Sequence, residues 1–310
     1  MMKQLIAILL SISIGIIFII SAFSKLFPIE PFEYQLVDVG WVSWKMAPIW
    51  ARLLIGMEFF IGMLFVFQIS LKKFTIKFAT FILSVFTSYL MVKIAQDGNT
   101  GNCGCFGEIF KMNPLQGIIK NGILFISCWT IYFALEREYW SVKLKQYLFP
   151  ILIIVSMLIG FLVNPIYANR HSSIDTSAVN YKVPLELMYS SKQKETPKID
   201  LNKGKHIIAF LSLTCSHCRI AAKKLHVINK KNPSLPIYVA LNGNKQLEAD
   251  FVNETQIQTI PHNLFLGPND WMQVAGIQLP IILFVNNGIV EKKINGVLVE
   301  QATMEQWLKQ

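Results

Sequence analysis

Five stretches of this chain are so long and so apolar that they limit the folds open to it before any single residue is considered. Leu5 to Phe23, Pro48 to Ile69, Phe74 to Ile94, Leu115 to Leu135 and Leu148 to Tyr167 each run for about the twenty residues that a ~30 Å hydrocarbon layer asks of a helix. A backbone in hydrocarbon has to pair its own N–H and C=O groups, so each stretch reads as a spanning helix. Of the 310 residues 53% are hydrophobic and only 15% charged, and the apolar ones crowd into the first half. The first run exceeds the apolar core of a signal peptide and no small-x-small cleavage site follows it, so it reads as an uncleaved helix. The formal net charge of +10 is scattered and flanks apolar segments, with no basic stripe interleaved by aromatics. That pattern makes the lipid bilayer a partner and argues against nucleic acid.

Loop charge orients the array. Lys72, Lys73 and Lys77 flank the connection between the second and third runs, and Arg137, Lys143 and Lys145 that between the fourth and fifth. By the positive-inside rule both connections are cytoplasmic, as is the N-terminus with Lys3. Five crossings then put everything after Tyr167 outside, together with the loop Gly101 to Gly107 between the third and fourth runs. Four of the five cysteines fall in those outside segments, as the pairs Cys103/Cys105 and Cys215/Cys218; Cys128 lies within the fourth run and reads as a buried packing residue. Both pairs therefore face the compartment where disulfide chemistry persists.

Cys215-Ser-His-Cys218 sits where an apolar run, Ile207 to Leu213, gives way to an amphipathic one, Ile220 to Asn229. Strand, C-x-x-C and helix in that order point to a dithiol switch. Cys215 at the helix N-terminus faces unpaired N–H groups and the positive end of the dipole, which favour its thiolate. Cys218, one turn deeper, is placed to resolve a mixed disulfide formed by Cys215. His217 between them adds positive charge and would make the pair more oxidising. A zinc site needs two further ligands, and His206, His226 and His262 form no second pair at ligand spacing.

Downstream, Gly276-Ile-Gln-Leu-Pro280 precedes an apolar strand, Ile281 to Val285, and Asn286-Asn-Gly288 joins it to a second, Ile289 to Ile294. Asn-Gly between apolar runs is a strong hairpin signal. With the C-x-x-C, this order resembles the thioredoxin superfamily from about Ser190 to Gln310. The resemblance implies an α/β domain in which Pro280 is a cis-proline beside the dithiol. The chain departs from thioredoxin proper at Ala209, where the buried acidic residue of the entering strand would stand, and in having Ser216-His217 for Gly-Pro. Val183 to Tyr189 and Ile237 to Leu241 are further expected strands, Met304 to Lys309 a closing helix, and Asn242 to Gln273 is ambiguous.

Cys103-Gly-Cys105 leaves one residue between its thiols, too few for a relaxed bridge, and a strained bond is a labile one. Gly101, Gly104 and Gly107 allow the turns such a loop needs. By itself the string fits a reducible pair, two independent thiols or metal ligands. Ser21-Ala-Phe-Ser-Lys-Leu-Phe27, Ala51-Arg-Leu-Leu-Ile-Gly56 with Glu58, and Asn102-Cys-Gly-Cys-Phe-Gly107 resemble the MauE branch of the DoxX-like redox-associated membrane proteins, across roughly Met1 to Glu138. That resemblance implies a four-helix bundle, a bacterial inner membrane, and a role for Cys103 and Cys105 in the redox maturation of periplasmic proteins. No dehydrogenase motif links the chain to methylamine itself. Arg52 in the second run is expected to snorkel to the interface. Glu58 is expected to accept protons or to pair with Arg52 or Lys93.

The expected organisation is a four-span MauE/DoxX-like membrane domain over 1–146, a fifth transmembrane helix over 147–170, and a linker with a thioredoxin-like domain over 171–310. Ala168 to Ala178 is polar and aperiodic, and a dozen extended residues reach ~40 Å, enough for Cys215 to approach the C-G-C loop. The expected function is a thiol-disulfide relay in which Cys215, Cys218, Cys103 and Cys105 carry the exchange, with His217 and Pro280 beside them. Its partners are envelope proteins with thiols or disulfides and a membrane electron donor or acceptor. No metal or bound cofactor is expected, and a quinone has no residue that speaks for it. The alternatives are a metal- or client-binding maturation factor without a relay and, by fold analogy only, a subunit of a quinone-linked oxidase.

Overall fold

The structure, a computed structural model, describes residues 2–136, 142–166, 180–189, 195–265, 268–296 and 298–310. The chain divides into two compact units, Met1–Ile166 and Tyr167–Gln310. The linker expected over Ala168 to Ala178 lies outside the described residues, as does Arg137.

The first unit is helical: α1 (Met2–Ser24), α2 (Glu30–Asp38), α3 (Ala47–Val66), α4 (Ile76–Asp97) entered through a π-helical turn, α5 (Pro114–Ala134) and α6 (Val142–Val163). Among the described residues five helices are long and apolar enough to cross a membrane, at Met2–Ser24, Ala47–Val66, Leu71–Asp97, Pro114–Ala134 and Leu144–Val163, and the chain is a multi-pass membrane protein. Each spanning helix buries one stripe. On α1 the inward residues are Ala7, Ser11, Ile14, Gly15, Phe18 and Ala22, while Leu5, Leu9, Ile16, Ile20 and Phe23 face outward, where lipid takes the place of water. The crossing of α1 and α3 is close because a Cβ on Gly15 would stand 2.7 Å from the Gly62 carbonyl oxygen, and one on Gly62 2.7 Å from Ile19. Asn113 and Gln116 close a reciprocal capping box at the start of α5, each side chain accepting from the other's backbone N–H at 2.9 Å.

Helix α2 was not expected. Its sequence, Glu-Pro-Phe-Glu-Tyr-Gln-Leu-Val-Asp, is too short and too polar to stand out beside the spans, yet it buries Phe32, Tyr34, Leu36 and Val37. It also carries Glu33, which corrects the reading of Arg52. Arg52 is fully buried: Nη1 donates to Glu33 Oε1 at 2.8 Å and to the Pro48 carbonyl at 2.6 Å, and Nε donates to the Asn164 carbonyl at 2.6 Å. A guanidinium with those partners has no reason to reach for the interface.

The second unit is a six-stranded sheet in the order β1-β6-β5-β2-β3-β4, with β1 (Tyr181–Lys182), β2 (Lys205–Ser212), β3 (Ile237–Asn242), β4 (His262–Leu264), β5 (Ile281–Asn286) and β6 (Ile289–Asn295). Strands β2, β3 and β4 are parallel; β5 runs antiparallel to β2 and β6 to β5. Helices α7 (Ser216–Lys231), α8 (Glu248–Thr255), α9 (Pro268–Ala275) and α10 (Gln301–Lys309) complete it, α8, β4 and α9 occupying the stretch left ambiguous by the sequence. Phe210, Phe265 and Trp271 meet with ring centroids 5.5 and 5.7 Å apart, and Trp307 lies edge-on to Phe284 at 5.2 Å. Asn287 and Gly288 both take positive φ in the β5–β6 hairpin, as its turn requires. The strand expected over Val183 to Tyr189 is instead a two-residue strand ending at Lys182 and a 3-10 turn over Leu185–Tyr189. Pro184 has no N–H for a ladder and breaks the extended run.

Candidate functional site

Each unit brings its own pair of cysteines together. In the second unit β2 ends at Ser212, and Cys215 is the N-cap of α7 in extended conformation, its Sγ accepting from Cys218 N–H at 3.3 Å. A sulfur in that position receives the N–H that a serine or aspartate oxygen would. Cys215 is half-buried and Cys218 fully buried. Burial pushes the Cys218 thiol up, and its hydrogen bond to Cys215 adds to the shift. The result is an accessible attacking sulfur above a protonated, sheltered one.

Two neighbours fix this geometry. The Leu279–Pro280 bond is cis, and Pro280 precedes Ile281, which pairs with Phe210 on the strand that delivers the motif. A Cβ on Gly296 would stand 2.9 Å from Pro280 Cβ and 3.2 Å from Ala221 Cβ of α7, so the proline and the dithiol helix meet across a residue with no side chain. Arg219, which sequence reading passed over, donates from Nη2 to the Leu213 carbonyl at 2.9 Å, pairs with Glu254 at 2.5 Å and lies over the Phe251 ring at 5.1 Å. It pins the motif's turn to α8. His217 is exposed on the first turn of α7, and Ala209 is buried in mid-strand, with no carboxylate at that position.

In the first unit Cys103 and Cys105 sit in the loop between α4 and α5. Asn102 organises it, donating from Nδ2 to the Gly107 carbonyl at 2.8 Å and accepting at Oδ1 from Gly104 N–H at 3.1 Å. Gly104 and Gly107 have φ of +70° and +57°, and a Cβ on Gly107 would lie 2.3 Å from the Ser24 carbonyl oxygen. Both sulfurs rest on Gly117 of α5, each 3.3 Å from where its Cβ would be. The thiols are hydrogen-bonded to each other, and that bond holds Cys103 up, with burial adding to it. The same bond, helped by the charges of Lys120 and Lys25, holds Cys105 down against the opposing effect of burial. Cys103 is buried and Cys105 half-buried, so here too the better nucleophile is the more accessible sulfur.

A buried ion pair anchors the loop. Lys25 Nζ donates to Glu58 Oε2 at 2.6 Å and Oε1 at 2.9 Å, to Ser21 Oγ at 2.8 Å and to the Cys105 carbonyl at 2.7 Å. Ser21 Oγ lies 2.7 Å from the same carbonyl and 3.1 Å from Glu58 Oε2. Glu58 therefore pairs with Lys25 and not with Arg52 or Lys93 as expected. The four groups form one cluster, with Lys25 2% and Glu58 5% exposed. Lys25 and Ser21 stand in the string at the end of α1 that carried the family resemblance, but only the fold reveals what they hold.

Among the described residues no group of three or more His, Cys, Asp or Glu is placed to hold a metal ion. Cys128 is fully buried in the helical core.

A dithiol capping a helix beside a cis-proline, on a sheet of this order and behind five membrane-length helices, is the arrangement of a membrane-anchored, thioredoxin-like protein of the thiol-disulfide class. Residues 3–134 match the family described as methylamine utilisation protein MauE, so the first unit contains a MauE-family domain. Over most of its length the chain is similar to the protein TlpB of Flavobacterium psychrophilum, at 29% identity across 92% of this chain and 90% of that protein. Among solved structures it is similar to the Mycobacterium tuberculosis DsbF, with 17% identity, TM-score 0.34, and 41% of this chain and 98% of that one covered. A thiol:disulfide interchange protein from Bacteroides sp. matches at 16% identity and TM-score 0.33, over 43% and 90% of the respective chains.

Proposed function

We propose that the protein is a membrane thiol-disulfide oxidoreductase that relays electrons between its two cysteine pairs. Cys215 attacks a client disulfide, or receives attack when oxidised; Cys218 resolves the mixed disulfide; Cys103 and Cys105 exchange with that pair. Clients are envelope proteins bearing thiols or disulfides, and the setting is the bacterial inner membrane with the N-terminus cytoplasmic and the second unit outside. His217 and Pro280 act beside the exchange, the first through its charge and the second by shaping the surface next to Cys215. One observation carries this reading: both pairs share the same asymmetry, an accessible sulfur hydrogen-bonded to a more buried one whose thiol is held protonated. An attacking and a resolving group are what exchange chemistry needs. Tethering two such pairs in one chain supplies an effective concentration of about millimolar without a dedicated docking surface.

The test is trapping. In the full chain Cys218→Ser leaves a mixed disulfide on Cys215 unresolved, and non-reducing peptide mapping identifies its partner. Cys103 or Cys105 as that partner supports the relay. Separate proteins alone would confine the chemistry to the second unit, and metal retained under reducing conditions with no trapped species would favour a binding role.

A further inference from the structure

Cys103 has a proton to lose before it can attack. In the resting pair its thiol is hydrogen-bonded to Cys105, which holds it protonated. Once Cys105 is bonded to a visiting sulfur it is no longer a thiolate, so that acceptor is lost at the moment Cys103 has to act. Of the charged groups lining the space beside the two thiols, Glu58 is engaged by Lys25 and Ser21, and Lys25 and Lys120 are cations. The proton needs another way out.

That space is a cavity of about 40 Å³, walled by Phe18 of α1, Leu83 and Phe86 of α4 and Leu124 of α5. At about 10–15 Å³ for each, it has room for about two or three water molecules. Two polar atoms of its lining, Asn121 Oδ1 and Tyr89 Oη, are buried without a hydrogen-bond partner. Asn121 is 1% exposed and follows Gly117 by four residues on α5, so it lies on the same face, one turn from the residue on which both sulfurs rest. The direction of each unmet bond follows from its neighbours. Thr87 Oγ1 donates to the Leu83 carbonyl at 2.7 Å, so it accepts from Asn121 Nδ2 at 3.0 Å. With the NH2 facing Thr87, Asn121 Oδ1 is left as an acceptor needing a donor, and the Tyr89 hydroxyl supplies a donor needing an acceptor. Buried polar atoms are nearly always paired, and a donor and an acceptor on one small cavity are what a single water satisfies, with capacity left for a third partner.

We propose that this cavity is a water site serving Cys103: a water that accepts from Tyr89 Oη and donates to Asn121 Oδ1 takes the Cys103 proton as that sulfur resolves a mixed disulfide on Cys105. The step balances. The bond between Cys103 and Cys105 forms, the bond from Cys105 to the visiting sulfur breaks, and its electron pair leaves with the visitor as a thiolate. Cys103 is oxidised, the visiting sulfur is reduced, and Cys105 keeps its oxidation level. The proton passes to the water and out through the side of the cavity that opens to solvent. Asn121 and Tyr89 are positioning residues in this step. The inference rests on the redox reading of Cys103 and Cys105.

The probe is dithiobis-nitrobenzoate, added to the reduced full chain carrying Cys215→Ser and Cys218→Ser, so that only the membrane pair reacts. Cys105 releases a first coloured nitrothiobenzoate and Cys103, by resolving, a second; stopped-flow absorbance separates the two, and non-reducing mapping verifies the disulfide. Asn121→Leu, which keeps the volume and removes the acceptor, should slow the second release about tenfold and Tyr89→Phe about threefold, with the first release changed by less than about twofold. Asn121→Ser gives up packing but keeps an oxygen and admits more water, and its second release should stay within about threefold of the parent chain. A purely structural role for Asn121 predicts the reverse order of Leu and Ser. That order, equal slowing of both releases, or a second release unchanged in all three variants overturns the water site. A parent chain that gives no second release and no Cys103–Cys105 disulfide overturns the redox reading of the pair itself, and the water site with it.

Discussion

The two cysteine pairs reach similar asymmetry by different means, and the contrast teaches what positions a reactive thiol. In the second unit secondary structure does it: a strand ends, a helix begins, and the 3.6-residue turn sets Cys218 beneath Cys215. In the first unit no helix holds either cysteine. A loop built on positive-φ glycines is held by Asn102 from within and by Lys25, Ser21 and Glu58 from the neighbouring helices. Hydrogen bonds of a helix cap are local and cheap to encode, whereas a buried ion pair needs residues 33 positions apart to meet.

The comparison is broken most completely at Cys215. Cys215→Ser should lower disulfide exchange with a soluble client peptide by about a thousandfold or more, because a hydroxyl at neutral pH is a far poorer nucleophile than a thiolate. If the pairs work in series, Cys105→Ser should leave that single-turnover reaction intact and abolish multiple turnover in membranes. Equal loss of single turnover in both variants would refute the division of labour.

Removing one partner of the ion pair comes next. Glu58→Gln or Lys25→Met should destabilise the first unit by about 3–5 kcal/mol, since each leaves a buried charge uncompensated. The double variant Lys25→Met/Glu58→Met should recover a large part of that loss, measured by thermal unfolding in detergent. In the second unit Arg219→Met, which frees a partly exposed pair, should cost about 1–2 kcal/mol. A larger loss for Arg219→Met than for Glu58→Gln would contradict the view that charges hold one site and a helix the other.

A third effect separates the loops. Gly107→Ala should cost about 2 kcal/mol or more, because a Cβ is disfavoured at φ +57° and would meet the Ser24 carbonyl. Gly204→Ala, at φ +79° with open space around it, should cost only the backbone part, about 1–2 kcal/mol. Circular dichroism melts of the two variants would rank them.

The smallest expected effect concerns pH. Cys105 is held below the ordinary thiol range and Cys103 and Cys218 above it. As pH rises from 5, alkylation of Cys105 should therefore accelerate and level off before an ordinary thiol does, while Cys103 and Cys218 remain slow throughout the neutral range. Lys120→Gln removes a cation that favours the Cys105 thiolate, and should move its rise toward higher pH and slow alkylation at pH 7 by about threefold. Mass spectrometry of quenched samples resolves the cysteines individually.

Much of this architecture was legible because its signals are local. Hydrocarbon thickness writes itself into runs such as Leu5 to Phe23, the dithiol into Cys215 and Cys218, the hairpin into Asn287-Gly288. What escaped was set by distance along the chain. Arg52 looks like a snorkelling end-of-helix residue until α2, itself hidden by its polarity, brings Glu33 to it. Glu58 had candidate partners in Arg52 and Lys93, yet the one it meets, Lys25, lies just after the end of α1, and no periodicity encodes that choice. Tyr89 and Asn121 look like ordinary polar residues of two spans, and only packing reveals that they share a cavity with both thiols. Pro184 erred the other way, a local signal overlooked inside an apolar run.

The grip of Lys25 on the Cys105 carbonyl bears on recognition. With that carbonyl held by Lys25 and Ser21, the Cys105 end of the loop stays anchored whether the two sulfurs are joined or parted. In the proposed relay, a visiting dithiol would meet Cys105 at the same anchored place in either oxidation state. What differs is the sign of the local field: a thiolate stands at Cys105 in one state and a neutral disulfide in the other. Selection of the right oxidation state would accordingly be electrostatic, sharpened at low ionic strength and blunted by salt.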